Sequence, residues 1–170
     1  PRRQELCVIN LQYLSDETPD DLREAFIKCA AAETFLLWHK YKKDKENRKS
    51  SSNPDDGLKV GSIPEDFKRQ MFYTFGDYRD FLFGTDISKL NKHTTPLKAN
   101  IDRIFNDIGK TPNGHERQKF WENYGEDIWH GMLCALEKAG GNASIKSTYN
   151  YNTVKKDLEN FVKRPQFFRW

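Results

Sequence analysis

Apolar residues recur at helical spacing in several stretches of the chain, separated by runs too polar to form a packed face. The first stretch carries Leu22, Phe26, Cys29, Ala30, Leu36, Leu37 and Tyr41 at intervals that suit one side of an α-helix. Asp20 and Asp21 follow Pro19 and can cap free N–H groups, which predicts a helix start there. Ala30, Ala31 and Ala32 add helix propensity, and Cys29 falls on the apolar stripe. A second helix is predicted from Ile63-Pro64-Glu65-Asp66, with proline in its first turn. Its stripe is Phe67, Met71, Phe75, Tyr78 and Leu82; Phe72, Phe81 and Phe83 widen it, so burial on more than one side is expected. Gly84 is placed to end it. A shorter helix over roughly 96–108 carries Leu97, Ile101, Ile104, Phe105 and Ile108. A fourth, over 115–138, carries Phe120, Trp121, Tyr124, Ile128, Met132 and Leu136, and Gly140-Gly141-Asn142 closes it. A last short helix is predicted over 153–163.

Between these lie residues 1–19, read as mostly irregular, and residues 47–62, whose Ser, Asn, Asp, Pro and Gly content predicts a flexible loop. Residues 84–95 read as a polar connection and 143–152 as irregular. No stretch alternates long enough to predict a sheet. The fold class is therefore all-α, a helical bundle with long irregular loops. The closing segment, Phe161 to Trp170, gathers four aromatic residues and three cations around Pro165. That proline lacks an N–H donor and should break or restart a helix. Aromatic side chains after such a break are expected to pack on something, which predicts that the chain is a piece of a larger protein.

Composition refines this reading. The 170 residues fit one domain. Aromatic residues make up 14 %, so a core can be built although hydrophobic residues total only 36 %. No apolar run approaches the ~20 residues a membrane helix needs. The N-terminal residues show no signal-peptide pattern, so any targeting segment is expected outside this piece. The net charge of +3 is mild, but Lys40, Lys42, Lys43, Lys45, Arg48 and Lys49 crowd one stretch against two acids. Such a run suits a solvated helix end, where cations oppose the macrodipole. It also suits a contact for an acidic receptor or a sulfated glycan. Aromatic residues follow core periodicity instead of lying exposed among cations, which argues against a nucleic-acid partner.

Candidate chemistry is sparse. Glu126, His130 and Cys134 stand four apart on the fourth helix and share a face, a spacing compatible with metal ligands or a Cys–His nucleophile. No motif supplies a third orienting group or an oxyanion site, and a packed Cys134 with His130 at its edge accounts for the same spacing. No Gly-rich turn precedes Lys-Ser or Lys-Thr, so no phosphate loop is expected. Glu65, Asp66, Asp77 and Asp80 interleave with Lys68, Arg69 and Arg79, which reads as ion pairing on an exposed helix face. Asn142-Ala143-Ser144 matches a glycosylation acceptor. The cysteines, Cys7, Cys29 and Cys134, are too few and too scattered for a zinc module. What remains is a binding module with no enzymatic activity and no cofactor.

Several longer strings carry a resemblance. Pro1-Arg-Arg-Gln-Glu-Leu-Cys7, Phe26 to Lys42, Met71 to Gly84, Asp127 to Leu136 and Arg164 to Trp170 are similar, in order, to segments of Duffy-binding-like domains. More narrowly they resemble the erythrocyte membrane protein variant antigens that malaria parasites display on infected red cells. The wording around Cys29, Gly76 and Tyr149-Asn-Tyr151 resembles the beta class. The resemblance implies a helical scaffold and an extracellular, membrane-anchored setting on the infected erythrocyte. Residues 1–19 would end a first subdomain, 20–170 would form the second, and a cysteine-rich third would follow Trp170. It implies a host-cell adhesion function, with intercellular adhesion molecule as the favoured receptor, and recognition by antibodies. Related domains bind chondroitin sulfate, heparan sulfate, complement receptor or blood-group antigen, so a sulfated-glycan module or a spacer without its own ligand are the alternatives. In that setting disulfides are reasonable. Cys29 is expected to pair with Cys134, closing a loop of roughly a hundred residues at about 4–5 kcal/mol of stabilisation. Cys7 is then expected to partner a cysteine upstream of Pro1, and the Asn142 sequon is expected to be little used.

Overall fold

The computed structural model describes residues 6–8, 11, 18–48, 53–86, 94–105 and 114–169. Among them are eight helices and no strand: α1 (Pro19–Asn47), α2 (Pro54–Lys59), α3 (Glu65–Phe83), α4 (Thr94–Ile104), α5 (Gly114–Lys138), α6 (Ser144–Thr148), α7 (Tyr151–Val162) and α8 (Gln166–Arg169). The all-α expectation holds.

The helix ends have local causes. Thr18 Oγ1 accepts the Asp21 N–H at 3.2 Å, with Pro19 in the first turn, so α1 begins where a proline and an acid predict. Gly84 ends α3 at φ 70°, a left-handed conformation that glycine adopts without a Cβ penalty. Two predicted irregular segments hold helices. Within 47–62, Asn53 caps the single short helix α2 by accepting from Asp55 N at 3.0 Å, and Leu58 is fully buried. Within 143–152, α6 buries Ile145, and α7 starts at Tyr151. In each case one apolar side chain inside a polar run supplies the packing. Helix α4 stops at Ile104, short of the predicted end at 108.

Three long helices make the frame. Arg23 bonds Asp127, and a Cβ on Gly131 would lie 2.8 Å from Ile27 Cγ2, so positions along α1 and α5 ascend together and the two run parallel. Phe67 meets Trp38 and Tyr41 at one end of α3, while Tyr78 meets Phe26 near the other, so α3 runs antiparallel to α1. The centre is aromatic. Phe75 lies 4.7 Å from Trp121 and 6.0 Å from Trp129, and Phe72 sits edge-on to Trp129 and Phe161. These separations suit tilted and T-shaped ring pairs. Polar atoms of the buried rings find partners: Trp129 Nε1 donates to the Tyr149 carbonyl at 2.8 Å, and Tyr78 donates to the Cys7 carbonyl at 2.7 Å. Ring burial thus explains how a chain of low aliphatic content closes a core.

The acids Asp77 and Asp80 correct the expectation of an exposed charged face on α3. Both are buried, Asp77 completely. Arg169 donates to Asp80, and Gln166 Nε2 donates to Asp77 at 3.2 Å and to Asp86 at 2.7 Å. The short helix α8 therefore docks by its polar residues, while Phe167 and Phe168 stand 73 % and 74 % exposed. These are two of the aromatic residues after Pro165 expected to pack on something, and within the described residues the core does not cover them.

Candidate binding surfaces

Three surfaces bring potential contact groups to solvent. The first is the basic end of α1. At 100° per residue, Lys40, Lys43 and Arg48 fall within an arc of about 140°, and all three are exposed. Lys42 and Lys45 point elsewhere. Lys42 Nζ bonds Asp55 at 3.0 Å and Lys45 Nζ bonds Asp66 at 2.9 Å, so both are tied to α2 and α3. Lys49 lies outside the described residues. The six-cation cluster read from the sequence is therefore divided, with three charges left on the outer arc. Sequence spacing already separates 42 and 45 from that arc, but the acids that hold them come from other helices.

Around Lys45 the charges are coupled. The Asp66 carboxylate accepts from Tyr41 Oη at 2.6 Å as well as from Lys45. Burial pushes the Asp66 carboxyl upward, but the Tyr41 hydroxyl, the Lys45 ammonium and the Phe67 N–H together hold it below its ordinary value. The same bonds raise Lys45, with the Asp66 hydrogen bond as the largest cause.

The second surface is a groove of about 500 Å³ between α1 and α5. Its floor is small and apolar, with Ala31, Gly131, Cys134 and Ala135, and Phe35 forms a wall. Arg23 and Asp127 close one end as an ion pair at 2.9 Å. His130 and Cys134 do share this face, as their spacing predicts, but Glu126 is not among the lining residues. No group of three or more His, Cys, Asp or Glu that could hold a metal occurs among the described residues. The triad read from spacing thus supplies two groove residues without the third.

The groove also separates the cysteines. Cys134 is half-buried in its floor, whereas Cys29 is fully buried in the core. Ile27 and Ala31, which face the groove, stand two residues either side of Cys29 and so lie about 200° from it around α1. The structure carries no bond between Cys29 and Cys134. Cys7 is strapped between helices, its N–H donating to Glu33 Oε2 at 3.2 Å and its carbonyl accepting from Tyr78.

The third surface is α8. Its two phenyl rings touch edge-to-face at 5.5 Å and project outward, while Arg169 anchors the helix. Gly76 provides room for that anchor, since a Cβ there would lie 3.2 Å from Arg169 Nε. The exposed Asn142 sits in a turn, where its Oδ1 accepts the Ser144 N–H at 2.8 Å. No helix among the described residues is long and apolar enough to cross a membrane.

The family model described as Duffy binding domain matches residues 1–169. Comparison with curated proteins gave no match, and comparison with solved structures gave none.

Proposed function

The chain belongs to the Duffy binding domain family, and on that premise we propose that it is a receptor-binding adhesion module with no enzymatic activity. The observation that carries this reading is the family match across almost the whole length. The fold is compatible with it: a stiff aromatic core holds charged and apolar groups outward on helix surfaces. More finely, the module belongs to a variant surface antigen of the erythrocyte membrane protein kind, beta class, displayed outside an infected red cell. Its receptor is an intercellular adhesion molecule on host endothelium, and antibodies meet the same surfaces. Residues 1–19 close one subdomain and 20–170 form the next.

The experiment is binding to immobilised intercellular adhesion molecule, by this chain and by one continued through a third subdomain. Binding by both puts the contact within residues 1–170. Binding by the longer chain alone makes these helices a scaffold. Binding by neither overturns the receptor assignment.

The exposed arc of Lys40, Lys43 and Arg48 favours a second reading, a site for heparan or chondroitin sulfate. Salt separates the two readings. Contacts between exposed charges weaken as the screening length falls from about 10 Å at 0.1 M toward 3 Å at 1 M salt. A receptor contact anchored by desolvated apolar groups changes much less.

A further inference from the structure

We propose that the groove between α1 and α5 is a docking site for an acidic, amphipathic helix presented by a protein partner. The inference uses only the groove, and so stands apart from the identity of the receptor. Three observations support it.

The first is shape. From Ile27 to Phe35 the α1 side runs eight residues, about 12 Å at 1.5 Å per residue. A docking helix spans nearly the same length between apolar side chains at i and i+7, about 10.5 Å, which is how helix-in-groove recognition places its anchors. The second is the floor. Ala31, Gly131 and Ala135 put no long side chain into the trough, so a helix can approach closely, with the half-exposed Phe35 ring as its apolar wall. Among the described residues there is no sheet edge to offer an extended peptide instead.

Charge is the third observation, and it decides the partner's sign. The lining holds Arg23, Lys28 and Lys138 against the single carboxylate Asp127. Arg23 already satisfies that carboxylate at one end. Lys28 also meets Glu24 at 2.8 Å, but both of those side chains are more than half exposed and share their charge with solvent. Lys138 stands exposed at the opposite end, and the exposed His130 lies between it and Asp127 along α5. A partner helix with leucines inward and carboxylates on its flanks meets cations on both rims, while a basic helix meets repulsion.

The test uses two fluorescently labelled helical peptides with the same leucine row, one carrying glutamates on the flanks and the other lysines. Anisotropy titrations at low salt are expected to show at least tenfold tighter binding of the acidic peptide. Ala31→Trp fills the floor and is expected to weaken that binding at least tenfold, with far-UV circular dichroism as the check on folding. Lys138→Glu changes only an exposed position and is expected to narrow the preference for the acidic peptide. Equal binding of the two peptides, binding of neither, or an acidic-peptide affinity indifferent to both substitutions would each overturn the proposal.

Discussion

Arg169 reaches back 89 residues to Asp80 and closes an ion pair in which both side chains are almost completely buried. The same guanidinium donates to the carbonyl of Val162 at 3.0 Å, so one side chain holds α8, the end of α7 and the last turn of α3 together. Burial pushes the Asp80 carboxyl up, and the Arg169 charge opposes that push without overcoming it. The pair is thus a device of position more than of net stabilisation.

Removing one partner should therefore cost far more than removing both. Arg169→Met leaves Asp80 uncompensated and is expected to destabilise by about 3–5 kcal/mol. Adding Asp80→Leu should recover most of that loss, because a buried ion pair exchanged for apolar groups is often neutral. Urea unfolding of the two single variants and the double variant measures the coupling. Additive losses would mean that the two side chains act independently.

Asp66 gives a pH dependence of defined sign. Its folded carboxyl is held below the ordinary value, so its contribution is present above the unfolded pKa and lost as pH falls through the lower, folded one. Asp66→Asn is expected to cost about 1 kcal/mol at neutral pH, after discount for its exposure. The stability curves of the variant and the parent should converge in acid, below the ordinary carboxylate range. Asp80 has the opposite sign. Its raised pKa makes its contribution more favourable as pH falls into that range, so acid unfolding should not begin at α8. Thermal melts across a pH series check both statements.

Much of this architecture is legible in the sequence where the hydrophobic period runs long. The stripes of α1, α3 and α5 predict long helices, and capping residues set their starts within a few positions. What the period misses is decided by single contacts between distant segments. Leu58 makes α2 a packed helix, because it is fully buried inside a run otherwise polar. Leu36 fits the predicted α1 stripe but lies 60 % exposed, since the helix is longer than the surface it covers. Asp77 and Asp80 read as solvent-facing because their partners, Gln166 and Arg169, follow more than eighty residues later. The binding surfaces are less legible still. A charge run shows in sequence, but the acids that bind Lys42 and Lys45 do not.

Gly131 fixes how closely α1 and α5 approach. A Cβ at this position would meet Ile27 Cγ2 at 2.8 Å, and Ile27 is held on the helix that forms the opposite wall. Gly131→Val is expected to destabilise by about 1–3 kcal/mol, as overpacking does. Adding Ile27→Ala should relieve part of that loss, and chemical denaturation of the pair of variants reads the rescue directly.

Our proposed pairing of Cys29 with Cys134 makes a distinct chemical prediction. The two cysteines lie on contacting helices, but one faces the core and the other the groove. Closing the bridge would need a local turn of α1 or α5 that carries the thiols toward each other. If it forms in an oxidising medium, neither cysteine should react with iodoacetamide, and non-reducing peptide mapping should recover the two helices as one linked fragment. Reduction should then lower stability by about 4–5 kcal/mol in the chain-entropy account. If it does not form, Cys134 should alkylate in the folded protein through the groove, while Cys29 should react only on unfolding, since its side chain has no solvent access. Rapid native labelling of Cys134 in the oxidised protein would therefore sink the pairing.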